Sequence, residues 1–74
     1  MSIQRMLIKE SLKYIPKINE LIRISYPLES IQMENLALRN IMNSPIPIDK
    51  MNDGQIESFQ NTLIDKFKHH GWLK

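Results

Sequence analysis

The C-terminal third of the chain carries matching signals for both ends of one helix, and these signals constrain the fold more than any other segment. Asn52 can act as the N-cap, and Gln55 follows three residues later at the spacing of a capping box. Gly71 occupies a position where a helix commonly ends in a left-handed residue. Together these signals predict a helix over about 53–70 and a folded, packed domain around it.

Apolar residues between these two ends recur at spacings of three and four, which places them on one face of the helix. This predicted stripe consists of Ile56, Phe59, Leu63, Phe67 and His70. Met51 and Ile56 stand at the positions of a hydrophobic staple. A Schellman motif would bring Trp72 against Phe67, so we expect that contact beyond the end of the helix.

The first third of the chain also has a helical apolar pattern, interrupted by a proline. It predicts a helix over about 3–24, capped by Ser2. Its two apolar rows cover more of the circumference than the arc of about 100° that a surface helix needs. Pro16 removes a backbone donor and clashes with the carbonyl of Leu12, so a kink or a break is expected. The apolar pattern continues through Pro16, which favours the kink.

The middle of the chain predicts a second helix followed by an extended connection. Helix 2 should span about 27–42, with Pro27 in its first turn. Its apolar residues lie all round the helix, which predicts a central position among neighbours. Over 43–51 two prolines favour an extended connection, with Ile46 and Ile48 packed as a strap. A short linear motif for a partner is the alternative interpretation. The predicted fold is therefore an all-α, three-helix domain spanning 1–74.

Length and cysteine content favour self-association. A chain of 74 residues buries only roughly 60–65% of its unfolded surface, so its own core is marginal. It contains no cysteine, which excludes disulfides and thiolate metal sites and fits a reducing compartment. The surplus apolar surface on helices 1 and 2 predicts a protein partner, with a homodimer as the first expectation. No apolar run reaches the roughly 18 residues of a membrane span, so we expect a cytoplasmic protein without membrane contact.

Basic residues recur every four positions near the N-terminus, beside an apolar row. They form either a solvated face or a contact strip for an acidic protein surface or for phosphates. A net charge of +2 is low for a strong nucleic-acid binder, and Tyr14 is the only aromatic residue nearby. Helix 2 has one basic residue, Arg39, which argues against a helix-turn-helix. The candidate partner-binding residues are Arg5, Lys9, Lys13, Lys17, Ile8, Leu12 and Ile15.

Catalytic and metal-binding patterns are weak. The sequence has no cysteine nucleophile, no recognisable Ser/His/Asp arrangement and only two glycines, neither in a phosphate-binding loop. Asp65 and His69 could supply two metal ligands, but a third has no obvious source. We therefore predict no enzyme activity, no cofactor and no metal site.

These observations predict a small protein-binding module. In size and composition the chain resembles generic small helical regulators, many of them encoded by phages and mobile elements. A regulator or inhibitor that occupies the surface of a partner protein fits the predicted protein-binding module. The alternative is a nucleic-acid-binding regulator that uses the basic row of helix 1.

Overall fold

The structure, a computed structural model, describes residues 9–73 and contains three α-helices. Helix α1 spans Pro16–Ile24, α2 spans Pro27–Met42 and α3 spans Asp53–His69. Short 3-10 turns at Ser11–Tyr14 and Ile48–Lys50 precede α1 and α3. No strand occurs within the described residues, so the all-α, three-helix prediction is confirmed.

The chain breaks at Pro16, and the continuous kinked helix that we favoured is not seen. Ile15 leaves the helical region, with φ −126° and ψ 71°. Pro16 then opens α1, where its missing N–H has no intrahelical partner to lose. The other outcome that the sequence allowed, a break at Pro16, therefore describes this junction. The part of the predicted helix over residues 3–8, with its proposed cap Ser2, lies outside the described residues.

A buried glutamine ties the start of α1 to α3. The first N–H groups of a helix need partners outside the helix, and Ile15 provides no side-chain cap. The backbone N–H of Lys17 instead donates to Gln60 Oε1 at 2.9 Å. Gln60 is only 5% exposed, so its amide is sheltered from water at this contact. The pattern of apolar residues alone gave no indication that this polar side chain is buried.

Helix α2 begins at Pro27 and ends at Met42, as predicted, but it is not central. It buries one face, whereas Leu28, Ile31 and Met42 are 60–67% exposed. Instead α1 makes the more extensive contacts with both other helices, and α2 reaches α3 through the hydrogen bond from Lys66 Nζ to Asn40 Oδ1. A domain with three helices has too few elements to surround a helix of 16 residues on every side.

The core lies where α1 meets α2 and α3. Ile48 joins it from the 3-10 turn, but Ile46 remains 36% exposed, so only part of the predicted strap packs. The connection is also less extended than expected, because residues 48–50 form that turn. The buried apolar residues are Leu12, Ile15, Ile18, Ile22, Met33, Ala37, Leu38, Ile48, Leu63 and Phe67.

The N-terminus of α3 has the predicted capping box. Asn52 Oδ1 accepts a hydrogen bond from the Gln55 N–H at 2.8 Å, and Gln55 Oε1 accepts one from the Asn52 N–H at 2.9 Å. Each side chain thus satisfies a backbone donor that the helix leaves open.

The C-terminus of α3 forms the predicted Schellman motif. Gly71 has φ 77°, the left-handed conformation that favours glycine. The N–H of Trp72 donates to the Phe67 carbonyl and the N–H of Gly71 to the Lys68 carbonyl, both at 3.0 Å. The Phe67 and Trp72 ring centroids are 6.0 Å apart. His70, included in the predicted stripe, is exposed and serves as the C-cap.

Candidate protein-binding surface

Two apolar members of the predicted partner-binding set belong to the core. Leu12 is 6% exposed and Ile15 is fully buried. Their row turns inward because the 3-10 turn and α1 are packed against the rest of the domain. They are therefore not available for a partner in this fold. Arg5 and Ile8, from the same set, lie outside the described residues.

The described lysines of the basic row do not follow one helix. Lys13 lies in the 3-10 turn and Lys17 in α1, on opposite sides of the break at Ile15. Lys9 pairs with Glu34 at 3.5 Å, and Lys17 pairs with Glu57 at 3.3 Å. Both pairs are partly exposed, so each contributes at most about 1 kcal/mol. Their charge is thus shared with carboxylates of the same chain and does not form an uninterrupted basic strip.

A groove of about 660 Å³ lies between the α1–α2 turn and the C-terminal segment. Ile24 and Tyr26 line it and are 66% and 69% exposed. We call it the end groove. Its lining residues are Leu21, Ile24, Ser25, Tyr26, Glu29, Gly71, Trp72 and Leu73.

One wall of the end groove is held by two serine hydroxyls. Ser25 Oγ donates to the Leu21 carbonyl and Ser30 Oγ to the Ile22 carbonyl, both at 2.6 Å. These bonds satisfy carbonyls that the C-terminus of α1 leaves without helical partners. The Ser30 bond also joins α1 to the first turn of α2, so the tight connection between the two helices has a defined geometry.

The opposite wall is held by the Schellman motif. Its backbone bond positions Trp72, and the His70 ring stacks on the indole with centroids 4.4 Å apart and 13° between the planes. Leu73 follows directly and is half-buried against the core. Because both walls are built from hydrogen-bonded ends of helices, the end groove is pre-formed, which lowers the entropic cost of binding a partner there.

Among residues 9–73, Glu29 is the only acidic side chain that lines the end groove. It lies in the first turn of α2, where the helix dipole favours a carboxylate. It has no ion pair among residues 9–73. The groove thus combines apolar walls with one negative charge.

A second exposed apolar surface runs along α2 on its outward side. Leu28, Ile31 and Met42 are 67%, 60% and 64% exposed, and the exposed Asn35 lies between them. We call these four residues the outward stripe. The sequence predicted surplus apolar surface on helices 1 and 2, but it did not indicate which residues of these helices stay exposed.

Comparisons with known proteins do not add a function. The sequence matches no protein-family model, no curated protein matches it significantly, and no solved structure matches it significantly. Within the part of the chain that the structure describes, no three histidine or acidic side chains are grouped as metal ligands would be. No helix among residues 9–73 is long and apolar enough to cross a bilayer. The two exposed surfaces are therefore the features of the molecule that indicate a function.

Proposed function

We propose that this protein is a non-catalytic protein-binding module that regulates or inhibits a partner by occupying its surface. The observation that supports this proposal is the end groove, where Ile24 and Tyr26 remain about two-thirds exposed beside pre-formed walls. Exposed apolar side chains that line one concave surface are typical of interaction sites. A cytoplasmic location fits the absence of cysteine from the chain.

The chemistry of the end groove indicates the kind of partner. Its walls accept an apolar side chain, and Glu29 attracts a cation beside it. We therefore expect a protein segment that inserts one apolar residue and carries Lys or Arg next to it. Full burial of one Leu- or Ile-sized side chain contributes about 1.5–3 kcal/mol, which is too little for stable binding after association costs. The partner must therefore also cover the exposed residues around the groove.

The polar groups of the groove support a non-catalytic role. The Ser25 hydroxyl donates to the Leu21 carbonyl, and within the described part of the chain no histidine lines the groove to act as its base. A nucleophile needs an adjacent base within hydrogen-bond reach. Among the lining residues within 9–73, Glu29 carries the only carboxylate, and a lone, half-buried carboxylate is a weak catalyst.

A pair of isoleucine variants tests the proposal. Ile24→Asp places a charge in the end groove, whereas Ile31→Asp makes the same change at a similarly exposed site outside it. Tagged parent and variants are used to capture proteins from the source cell, with quantitative mass spectrometry. We expect a protein that the parent and Ile31→Asp retain equally and that Ile24→Asp loses at least tenfold. Retention of every captured protein by Ile24→Asp would contradict binding at the groove.

Two further measurements identify the contact. A photoreactive amino acid at position 24 should cross-link the same protein that Ile24→Asp loses, whereas the same group at position 31 should not. The affinity of the purified pair should change little between low and physiological salt, because the contact is mainly apolar. Nucleic-acid binding through lysines would instead weaken steeply with salt. Tight, salt-sensitive DNA binding by the parent would favour the alternative regulator.

A further inference from the structure

The outward stripe of α2 has the spacing of a coiled-coil seam. Leu28, Ile31, Asn35 and Met42, together with Leu38, alternate at steps of three and four over two heptads. These are a and d positions, which face a partner helix in coiled coils. Leu38 is 5% exposed and lies at the edge of the stripe, turned toward its own core.

The domain's own core does not need the stripe. Met33, Ala37 and Leu38 are the buried residues of α2, so the core takes one d position of the seam but none of the four residues of the outward stripe. The stripe lies on the other side of the helix, where its apolar members remain 60–67% exposed. A helix with one face in its own core and a heptad seam on the other is suited to a helical neighbour from another chain.

The charges beside the seam match a second copy of the same helix. Glu34 occupies a g position and Arg39 the e position five residues later. In a parallel pair, g of one helix faces e of the next heptad on the other, so Glu34 meets Arg39 of the second copy. Two-fold symmetry forms this pair twice.

An antiparallel pair would not make these contacts. It places e beside e and g beside g, which brings Arg39 to Gln32 or to another Arg39, and Glu34 to Ile41 or to another Glu34. None of these combinations pairs opposite charges. Arg39 has no ion pair among residues 9–73, whereas Glu34 meets Lys9 through one carboxylate oxygen. A carboxylate can accept hydrogen bonds at both oxygens, so Glu34 can bind Lys9 and Arg39 together.

Asn35 favours the same arrangement. It is exposed at an a position, between the apolar layers of Ile31 and Met42. In parallel pairs, asparagines at a face each other and hydrogen-bond, which selects two strands and one register at a cost in stability. The order of Leu28 at a and Ile31 at d by itself favours larger assemblies, and Asn35 opposes that tendency.

We propose that the outward stripe binds a second copy of this chain, forming a parallel two-fold dimer along α2. The proposal deepens the proposed protein-binding function by naming one partner, and it uses a surface distinct from the end groove. The helix is already folded in the monomer, so the dimer bears no cost of forming it. A two-heptad seam is shorter than a standard stable interface. We therefore expect dissociation constants on the order of 10–100 µM.

Sedimentation equilibrium of the full chain from low micromolar to millimolar concentration tests the surface. The parent should change from the 8.8 kDa monomer to twice that mass. Ile31→Asp should remain monomeric at least tenfold higher in concentration, whereas Ile24→Asp should dimerise as the parent does. Circular dichroism confirms that both variants fold. A monomeric parent, a tetramer, or a dimer lost only in Ile24→Asp would overturn the proposal.

Exchange of charges tests the parallel arrangement. Glu34→Arg and Arg39→Glu should each weaken the dimer, because each places like charges together. An equimolar mixture of the two variants restores both opposite-charge pairs, so it should form a mixed dimer at least as tight as that of the parent. No preference for the mixed dimer would contradict the predicted pairs.

Single cysteines provide an independent test, because the natural chain has none. In a parallel dimer, Leu28→Cys should form a disulfide with its own copy under oxidised glutathione. A mixture of Ile31→Cys and Met42→Cys should give little mixed disulfide, whereas an antiparallel pair, which places a positions beside d positions, would bring these two residues together. Preferential formation of the mixed disulfide would indicate an antiparallel pair and overturn the proposal. Failure of these tests leaves the end-groove proposal intact, since that proposal depends on the separate loss of a captured protein in Ile24→Asp.

Discussion

Helices α2 and α3 are nearly equal in length, 16 and 17 residues, but they use their apolar residues differently. In α3 the innermost apolar residues, Leu63 and Phe67, are buried within the chain. In α2 three large apolar residues remain mostly in water while another face is buried. Both capping motifs of α3 form within one monomer, whereas α2 has apolar surface that its own core does not cover. That surplus is where we look for function.

The largest difference should appear when one apolar side chain is truncated in each helix. Phe67→Ala should cost about 3–5 kcal/mol, because the ring is fully buried and its removal leaves a cavity. Leu28→Ala should change stability by no more than about 0.5 kcal/mol, since Leu28 is 67% exposed. Thermal and urea unfolding, followed by circular dichroism at low micromolar concentration, measures both in the monomer. Equal costs for the two variants would show that the contrast between the helices is wrong.

A smaller change in the free energy of unfolding should distinguish a buried polar residue of α3 from an exposed one. Gln60→Leu leaves the Lys17 N–H without its acceptor, which should cost about 1–3 kcal/mol. Asn61→Leu makes a similar change at the next, exposed position and should be nearly neutral. Urea unfolding measures both, and hydrogen exchange at Lys17 should accelerate only in Gln60→Leu. Unchanged exchange there would contradict the role of Gln60 at the start of α1.

Alanine variants of Gly54 and Gly71 should have opposite effects on stability, because the two glycines lie at opposite ends of α3. Gly71→Ala should destabilise by about 1 kcal/mol, because Gly71 has φ 77° and no contact within 4 Å that an added methyl could improve. Gly54→Ala should stabilise by up to about 1 kcal/mol, because Gly54 is helical and its nearest neighbour is the Asn52 side chain at 3.5 Å. Thermal unfolding of both variants gives the comparison. Equal shifts in one direction would contradict the Schellman assignment.

The sequence by itself determined the elements whose signals are local. The capping box of α3 and the glycine after it act through hydrogen bonds within a few residues, so their spacing in the chain was sufficient. Pro27 likewise marked the start of α2, because proline restricts its own backbone and that of its neighbour. Helical spacing of the apolar residues then indicated an all-α fold.

Only the tertiary structure decided which apolar faces meet and which remain exposed. Pro16 permits either a kink or a break, and the packing of Leu12 and Ile15 into the core accompanies the break. Gln60 is buried because α3 passes the open N-terminus of α1, and no local pattern encodes that proximity. Ile24 and Ile31 stay exposed because the third helix lies elsewhere. Burial depends on contacts between residues far apart in the chain, whereas capping and turn signals act between neighbours.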